Sequence, residues 1–181
     1  TMAGLINVYT HSPLVKRTCR VSAGMGNYGA WNVSGIASDK ITDNLGISVG
    51  IKYDEHDGYF KNSFTNNSCG DRYTANGRMQ IDWQSSDRVK WSFTVGYEHS
   101  LQDGYPYGLY DMNTNQMGEI SYNSPADYRR DLVTAGIQME YRNDHFLLTS
   151  TTGYQMLDDH LRMDQDFTPR SIFTLEQKQR L

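Results

Sequence analysis

Several residue groups in this chain have types and spacings that bear on chemistry. Gly24-Met25-Gly26-Asn27-Tyr28-Gly29 matches the GxGxxG pattern of dinucleotide sites. Such a site needs a helix directly afterwards, because the helix N-terminus holds the pyrophosphate. Here the chain continues Ala30-Trp31-Asn32-Val33-Ser34, an alternating strand, so the glycines read as a hairpin. Asp54-Glu55-His56-Asp57 holds metal-ligating types, as does the run containing Asp158, Asp159, His160, Asp164 and Asp166. A cation needs several such ligands converging, and solvated acids at a strand end are ordinary. Neither run is assigned a metal. His11, His99 and His145 have no Ser or Cys partner in a nucleophile setting, and no GxSxG or HExxH occurs. The expectation is a protein with no cofactor that is not an enzyme.

Binding chemistry is better represented than catalysis. Gly104-Tyr105-Pro106-Tyr107-Gly108-Leu109-Tyr110 is an aromatic cluster in a polar stretch, and Tyr59, Phe60 and Asn62 form a smaller one. Aromatics on scaffolded loops contact ligands, or pack the loop and anchor its rim. Tyr59, Phe60, Asn62, Tyr105, Tyr107 and Tyr110 are therefore the ligand-binding candidates, for a small molecule or a glycan. Nucleic acid is not expected, since the formal charge is −4 and no basic block occurs. Asn32-Val33-Ser34 and Asn66-Asn67-Ser68 match glycosylation acceptors, triplets that arise easily by chance. Cys19 and Cys69 set no disulfide framework.

The elements that position these residues follow a period of two. Leu45, Ile47, Val49, Ile51 and Tyr53 oppose Gly46, Ser48, Gly50, Lys52 and Asp54. Tyr73 to Trp83, Val89 to Tyr97 and Val133 to Tyr141 alternate in the same way. Weaker runs cover Cys19–Met25 and Trp31–Ala37, where Ile36 is out of pattern, and Phe146–Met156 is extended and rich in Thr. Short turns are predicted near Ser38–Asn44, Ser85–Arg88 and Asn143–Asp144. Long loops are predicted over Asp57–Asp71, Leu101–Tyr128 and Asp158–Ser171. Gly26–Gly29 is a tighter turn on the long-loop side. Strands joined this way are antiparallel neighbours, with short turns on one edge and long loops on the other.

Composition fits such a ribbon. Apolar residues make up 38%, with 13 Tyr, 6 Phe, 3 Trp and 16 Gly. That is too few for an ordinary soluble core and enough for one greasy face. No stretch of about 18 apolar residues exists, so a transmembrane helix is excluded but a spanning barrel is not. Trp83, Trp91, Tyr141 and Phe146 fall near the short-turn edge. Tyr53, Tyr59, Tyr73, Tyr97 and Tyr154 fall near the other, as two membrane interfaces require. The predicted fold is all-β, an antiparallel up-and-down meander forming part of a transmembrane β-barrel. Its polar face, including Arg78, Asp82, Glu98 and Glu140, lines the lumen. A soluble carbohydrate-binding β-sandwich using Tyr105, Tyr107 and Tyr110 is the alternative, and a small standalone barrel is a third reading.

Thr1-Met2-Ala3-Gly4-Leu5-Ile6-Asn7-Val8-Tyr9-Thr10-His11-Ser12-Pro13 resembles the GGVINIxTKxP-like strand that closes the plug of TonB-dependent receptors. Ala3 stands where Gly is common, and His11-Ser12 replaces a Lys-containing pair. Gly26-Asn27-Tyr28-Gly29 resembles the first barrel hairpin of that family. Asp57-Gly58-Tyr59-Phe60-Lys61-Asn62 resembles its DGYxxN stretch, and Arg78-Met79-Gln80-Ile81-Asp82-Trp83 the strand that follows. Asp164-Gln165-Asp166-Phe167-Thr168-Pro169 resembles loops of Bacteroidetes receptors. The resemblance implies residues 1–13 as the last plug strand and linker, and 14–181 as the first seven to eight strands of a larger barrel. It implies a bacterial outer-membrane location, with active uptake of a scarce solute such as a siderophore, cobalamin or glycan. The partners it implies are outer-membrane lipid, the plug of the same protein, and the TonB complex acting through an N-terminal box absent here. A plugged barrel of this kind has about 22 strands, so the chain alone is expected not to transport.

Overall fold

The computed structural model describes residues 10–181, so Thr1–Tyr9 of the plug-like segment lie outside the described residues. Among those described there is no helix. Twelve strands follow in order: β1 Thr18–Met25, β2 Trp31–Thr42, β3 Leu45–His56, β4 Phe60–Lys61, β5 Ser68–Cys69 and β6 Asp71–Ser86; then β7 Val89–Asp103, β8 Tyr110–Asp111, β9 Gln116–Met117, β10 Asp127–Arg142, β11 Leu147–Asp164 and β12 Thr174–Arg180. Eight of them form one antiparallel sheet in the order β1-β2-β3-β6-β7-β10-β11-β12. β4-β5 and β8-β9 are two small hairpins within the long loops. Each long strand pairs with the next long strand along the chain, so the sheet is an up-and-down meander.

Alternation and pairing together give the sheet two unlike faces. One carries Val21, Val33, Val49, Ile51, Met79, Phe93, Val95 and Ile137, and all of these are exposed. Phe93 is 36% and Ile137 46% exposed, and Ile47 is half-buried, so no second layer encloses them. A sandwich would cover this face with a second sheet about 10 Å away; among the described residues none is present. The other face carries Arg20, Ser22, Ser34, Ser48, Arg78, Gln80, Thr94 and Thr134 on the same ladders. Ile36 also lies there, which accounts for its break in pattern.

Three tight turns close one edge, over Asp43-Asn44, Asp87-Arg88 and 143–146. Asn143 shapes the last by accepting the amides of His145 and Phe146 at 2.9 Å. A bulge at Lys40/Thr42 and another at Gln84/Ser86 sit beside two of the turns. The first predicted turn, Ser38–Asn44, is shorter in the structure because β2 runs to Thr42.

One ladder crosses the whole sheet without a break: Met25, Trp31, Glu55, Tyr73, Leu101, Arg129, His160, Lys178. Against it, the upper aromatics descend toward the short-turn edge. Trp31 lies on the ladder, Tyr53 two residues below it, Tyr97 four and Tyr154 six, with Tyr73 somewhat above the trend. The lower aromatics drift the same way. Trp83 pairs with Trp91, and Tyr141 on the next strand is two residues farther down. The rings touch along each band. Trp31–Tyr53 centroids are 4.9 Å apart, Tyr53–Tyr73 6.3 Å, and Tyr141–Phe146 5.8 Å. His99 is not isolated. It lies between the Tyr73 hydroxyl (3.1 Å) and Asp131 (2.7 Å), and Asp131 also accepts the Tyr97 hydroxyl.

Above the upper band the faces of β10–β12 exchange character. Beyond Tyr154 and Met156, the formerly apolar face carries Asp158, His160 and Arg162; His160 pairs with Glu176 and Arg162 with Asp127 on the flanking strands. The opposite face there carries Leu132, Leu157, Leu161, Met163 and Leu175. This inversion corrects the predicted loop at Asp158–Ser171. Residues to Asp164 continue β11, and the loop spans only 165–173.

Candidate functional site

The buried apolar cluster of the described residues lies in the loops rather than the sheet. Cys69, Tyr122 and Ala126 are buried, with Tyr105 and Ile120 packed on them. Residues 57–70 and 104–126 therefore fold onto one another. Asn62, only 2% exposed, is the polar tie: its amide nitrogen donates to the Tyr122 carbonyl at 2.9 Å, and its oxygen accepts the Phe64 amide at 3.0 Å. Ser63 adds its amide to the Ile120 carbonyl at 2.8 Å. Glycine is required at 58, where a side-chain carbon would land on the Cys69 carbonyl. Gly104, at φ +70, lies against Cys69 and Tyr122. Burial pushes the Cys69 thiol above its ordinary value, and both cysteines are free. Burial also raises the Tyr105 phenol to about 12, with the neighbouring Tyr107 adding to the shift.

The third long loop is fastened to the same cluster. Asp164, 1% exposed, accepts the amides of Ser124 at 3.0 Å and Asn123 at 3.2 Å. Asn123 then donates to the Pro169 carbonyl and the Ser171 hydroxyl. Asp166 closes loop 165–173 from within, accepting from the Thr168, Ile172 and Phe173 amides at 2.9, 3.0 and 3.0 Å. Asp164 and Asp166 of this run thus hold backbone amides, while Asp159 accepts the Tyr128 hydroxyl at 3.4 Å. Among the described residues no group of three or more His, Cys, Asp or Glu side chains is placed to hold a metal ion. In the other acidic run, Asp54 pairs with Lys52 at 2.7 Å and Glu55 accepts the Tyr53 hydroxyl.

The hydrogen bonds on Asp166, from the Thr168 hydroxyl first and then the loop amides, hold its pKa at about 2. Its folded value lies below an ordinary carboxylate's value of about 3.9. Its contribution to loop order is therefore fully present above about pH 4 and is lost as pH falls through about 2. Protection of the Ile172 and Phe173 amides, taken relative to the intrinsic exchange rate at each pH, is expected to hold down to about pH 4 and to fall below it. Asp166→Asn is expected to lower that protection wherever the carboxylate is ionised.

The six ligand candidates do not form one site. Tyr105 and Tyr107 stack at 6.0 Å with an interplanar angle of 2°, and Tyr107 meets Phe167 edge-on at 5.5 Å. Tyr59 belongs to a different corner, against Tyr28 at 4.9 Å and His56 at 5.1 Å. Tyr110 lies in the β8–β9 hairpin opposite Met117, and Phe60 lies in β4 opposite Cys69. Both are about half exposed. Asn62 is committed to the loop core. Tyr28 and Phe167 carry no sequence pattern that marks them; their partners are 31 and 60 residues away along the chain.

The polar face of the sheet holds a second feature. Residues 10–16 lie across it. Thr10 donates to Gln80 at 2.9 Å, the Ser12 hydroxyl bonds Asp82, and Lys16 offers its carbonyl to Ser38. Pro13 is buried on Gly46, where a side-chain carbon would come within 2.9 Å of the Pro13–Leu14 backbone. Asp82 is fully buried, with Lys90 Nζ at 3.2 Å. Arg78 and Glu140 line the same groove, of about 310 Å³. Glu98 lies on the same face, paired with Arg130. The four predicted lumen residues therefore share one face, and the segment preceding β1 is seated on it.

No protein-family model matches this chain, and no solved structure matches it.

Proposed function

We propose that this chain is the opening part of the barrel of a TonB-dependent outer-membrane receptor. On this reading the solute is a siderophore, cobalamin or a glycan, bound and carried without chemical change. The observation that carries the reading is the drift of the aromatic bands. From Trp31 on β2 to Tyr154 on β11 is five strand steps, about 24 Å across at about 4.8 Å each. Over that width the band descends six residues, about 20 Å along the strand. A band level with a membrane then requires strands tilted about 40°, inside the range of transmembrane barrels. Between the bands lie ten residues on β6, from Tyr73 to Trp83, and six on β7, from Tyr97 to Trp91; these are about 34 and 20 Å of strand and, at that tilt, about 26 and 15 Å of height. The apolar belt of such barrels is about 25 Å tall.

The exchange of faces above the band fits the same geometry. Strands that rise past the headgroups meet water outside, so charge moves outward. The interior there holds protein, so Leu132, Leu157 and Leu161 turn inward. Residues 10–16 lie on the face that would be the lumen, where the chain would arrive from a plug. The edges of β1 and β12 are unpaired within the described sheet and need further strands, because lipid offers backbone groups no partner. The TonB complex would act through a plug segment outside this sequence.

Fractionation of cells expressing the full-length protein tests the reading. The expected result is recovery in the detergent-resistant outer-membrane fraction, with gel mobility that changes on boiling. Recovery as a water-soluble monomer would overturn it.

A further inference from the structure

Two bulky residues among those described sit in the left-handed backbone region, Tyr28 at φ 59 and Phe167 at φ 53. The other non-glycine cases, Asn66 and Asn115, are of a type that tolerates it. Asn or Gly would close either turn without strain, so what the strain secures is the position of a ring. Both turns are held firmly. The Tyr28 carbonyl accepts the Asp57 amide at 2.8 Å, and Asp166 gathers the amides around Phe167.

Each strained ring does the same thing. Tyr28 stands at 75° to Tyr59, and Phe167 at 69° to Tyr107. A perpendicular pair leaves a right-angled notch between one ring's face and the other's edge. Tyr28 is 58%, Tyr59 55% and Tyr107 47% exposed, and Phe167 is half-buried; His56 and Tyr105 already stack on Tyr59 and Tyr107, so each notch offers the ring faces those two leave free. Both lie on the long-loop edge, on connections between different strands.

Charge selects among ring-shaped ligands. Residues 104–126 contain no Lys or Arg. Residues 26–30, 57–67 and 165–173 contribute only Lys61 and Arg170, against Asp57 and Asp166. An anionic chelate or phosphate would meet no cluster of cations here. A cation would find two rings rather than an enclosing cage at either corner, with the Asp166 carboxylate already filled by loop donors at one and the single Asp57 carboxylate beside Gly29 at the other. A neutral sugar ring satisfies both corners. Its C–H face lies on a tyrosine, its rim meets the perpendicular ring, and its hydroxyls reach loop carbonyls and amides.

We infer that Tyr28/Tyr59 and Tyr107/Phe167 are two stacking corners for a neutral oligosaccharide. The inference rests on the proposed receptor reading, which turns this edge outward, and it narrows that reading to one solute class. The test uses full-length protein in detergent on an array of neutral and acidic glycans. A ferric tris-catecholate and cyanocobalamin are titrated beside it by calorimetry. At least one neutral oligosaccharide is expected to bind. Tyr59→Ala and Tyr107→Ala are each expected to weaken it about tenfold or more. Tyr28→Gly and Phe167→Gly are expected to weaken it similarly without lowering the unfolding midpoint, because glycine relieves the backbone. Phe167→Tyr is expected to retain binding.

Binding of only the chelate or cobalamin, or of no neutral glycan, overturns the inference. So do neutral-glycan binding unmoved by the four ring variants, and glycine variants that lose binding only by unfolding. An outer-membrane protein that fails this test leaves the receptor reading standing. A water-soluble protein that passes it leaves the corners standing without that reading.

Discussion

Val95→Arg is expected to abolish outer-membrane assembly of the full-length protein, and Thr94→Arg, one residue away, to leave it intact. Val95 lies on the apolar face, 47% exposed, four residues from Trp91 and two from Tyr97, near the middle of the belt between the bands. An arginine there meets acyl chains, at about 2–4 kcal/mol near midplane. It also sits between Met79 and Ala135, which offer no counter-charge. Thr94 is on the other face, between Gln80 and Gly136, where a long polar side chain extends into the groove. Reconstitution into phospholipid vesicles, scored by boiling-dependent gel mobility, separates the two variants. Equal yields would reject the facing assignment and with it the membrane reading.

The sheet was legible because its signal is local. Alternation over Leu45–Tyr53, Tyr73–Trp83, Val89–Tyr97 and Val133–Tyr141 needs only neighbours to be read, and each run is part of a strand. Turn residues such as Asp43-Asn44 and Asn143 mark their own positions. What stayed hidden depends on distance along the chain. The upper part of β11 alternates too, but with charge on the face that is apolar lower down and leucine on the other. A rule keyed to one greasy face therefore reads it as loop. Asn62 in a polar stretch resembles any exposed amide until residue 122 folds over it. Tyr28 and Phe167 are ordinary aromatics until the backbone angle is known, and no sequence pattern reports a positive φ at a bulky residue. The candidate site was thus half visible. Aromatic composition pointed to Tyr59 and Tyr107, while the partners that give each a geometry are set by tertiary contacts.

The contact between residues 10–16 and the wall has a different logic, and Asp82 is where it can be broken. The carboxylate is fully buried and accepts from Ser12 and from Gln80 at 3.0 Å, with Lys90 Nζ at 3.2 Å. Lys90 also reaches the Ser12 hydroxyl at 3.4 Å, so one hydroxyl of the incoming segment is shared by an acid and a base of the wall. Removing the carboxylate takes away the acceptor that Ser12, Gln80 and Lys90 share. Lys90 keeps about a third of its side chain in solvent, which moderates the loss to about 1–3 kcal/mol. That loss falls on the segment and spares the sheet, since strand pairing at Asp82 runs through the backbone to Gly46 and Ser92. Asp82→Ala is therefore expected to release residues 10–16 without unfolding the sheet. Backbone hydrogen exchange over Leu14–Lys16 is expected to be several-fold faster in Asp82→Ala than in the parent, at unchanged boiling-dependent mobility. Gly46→Ala, which presses on the Pro13–Leu14 backbone, is expected to speed the same exchange. Unchanged exchange in both variants would mean that Pro13 packing and the Ser38–Lys16 bond hold the segment by themselves.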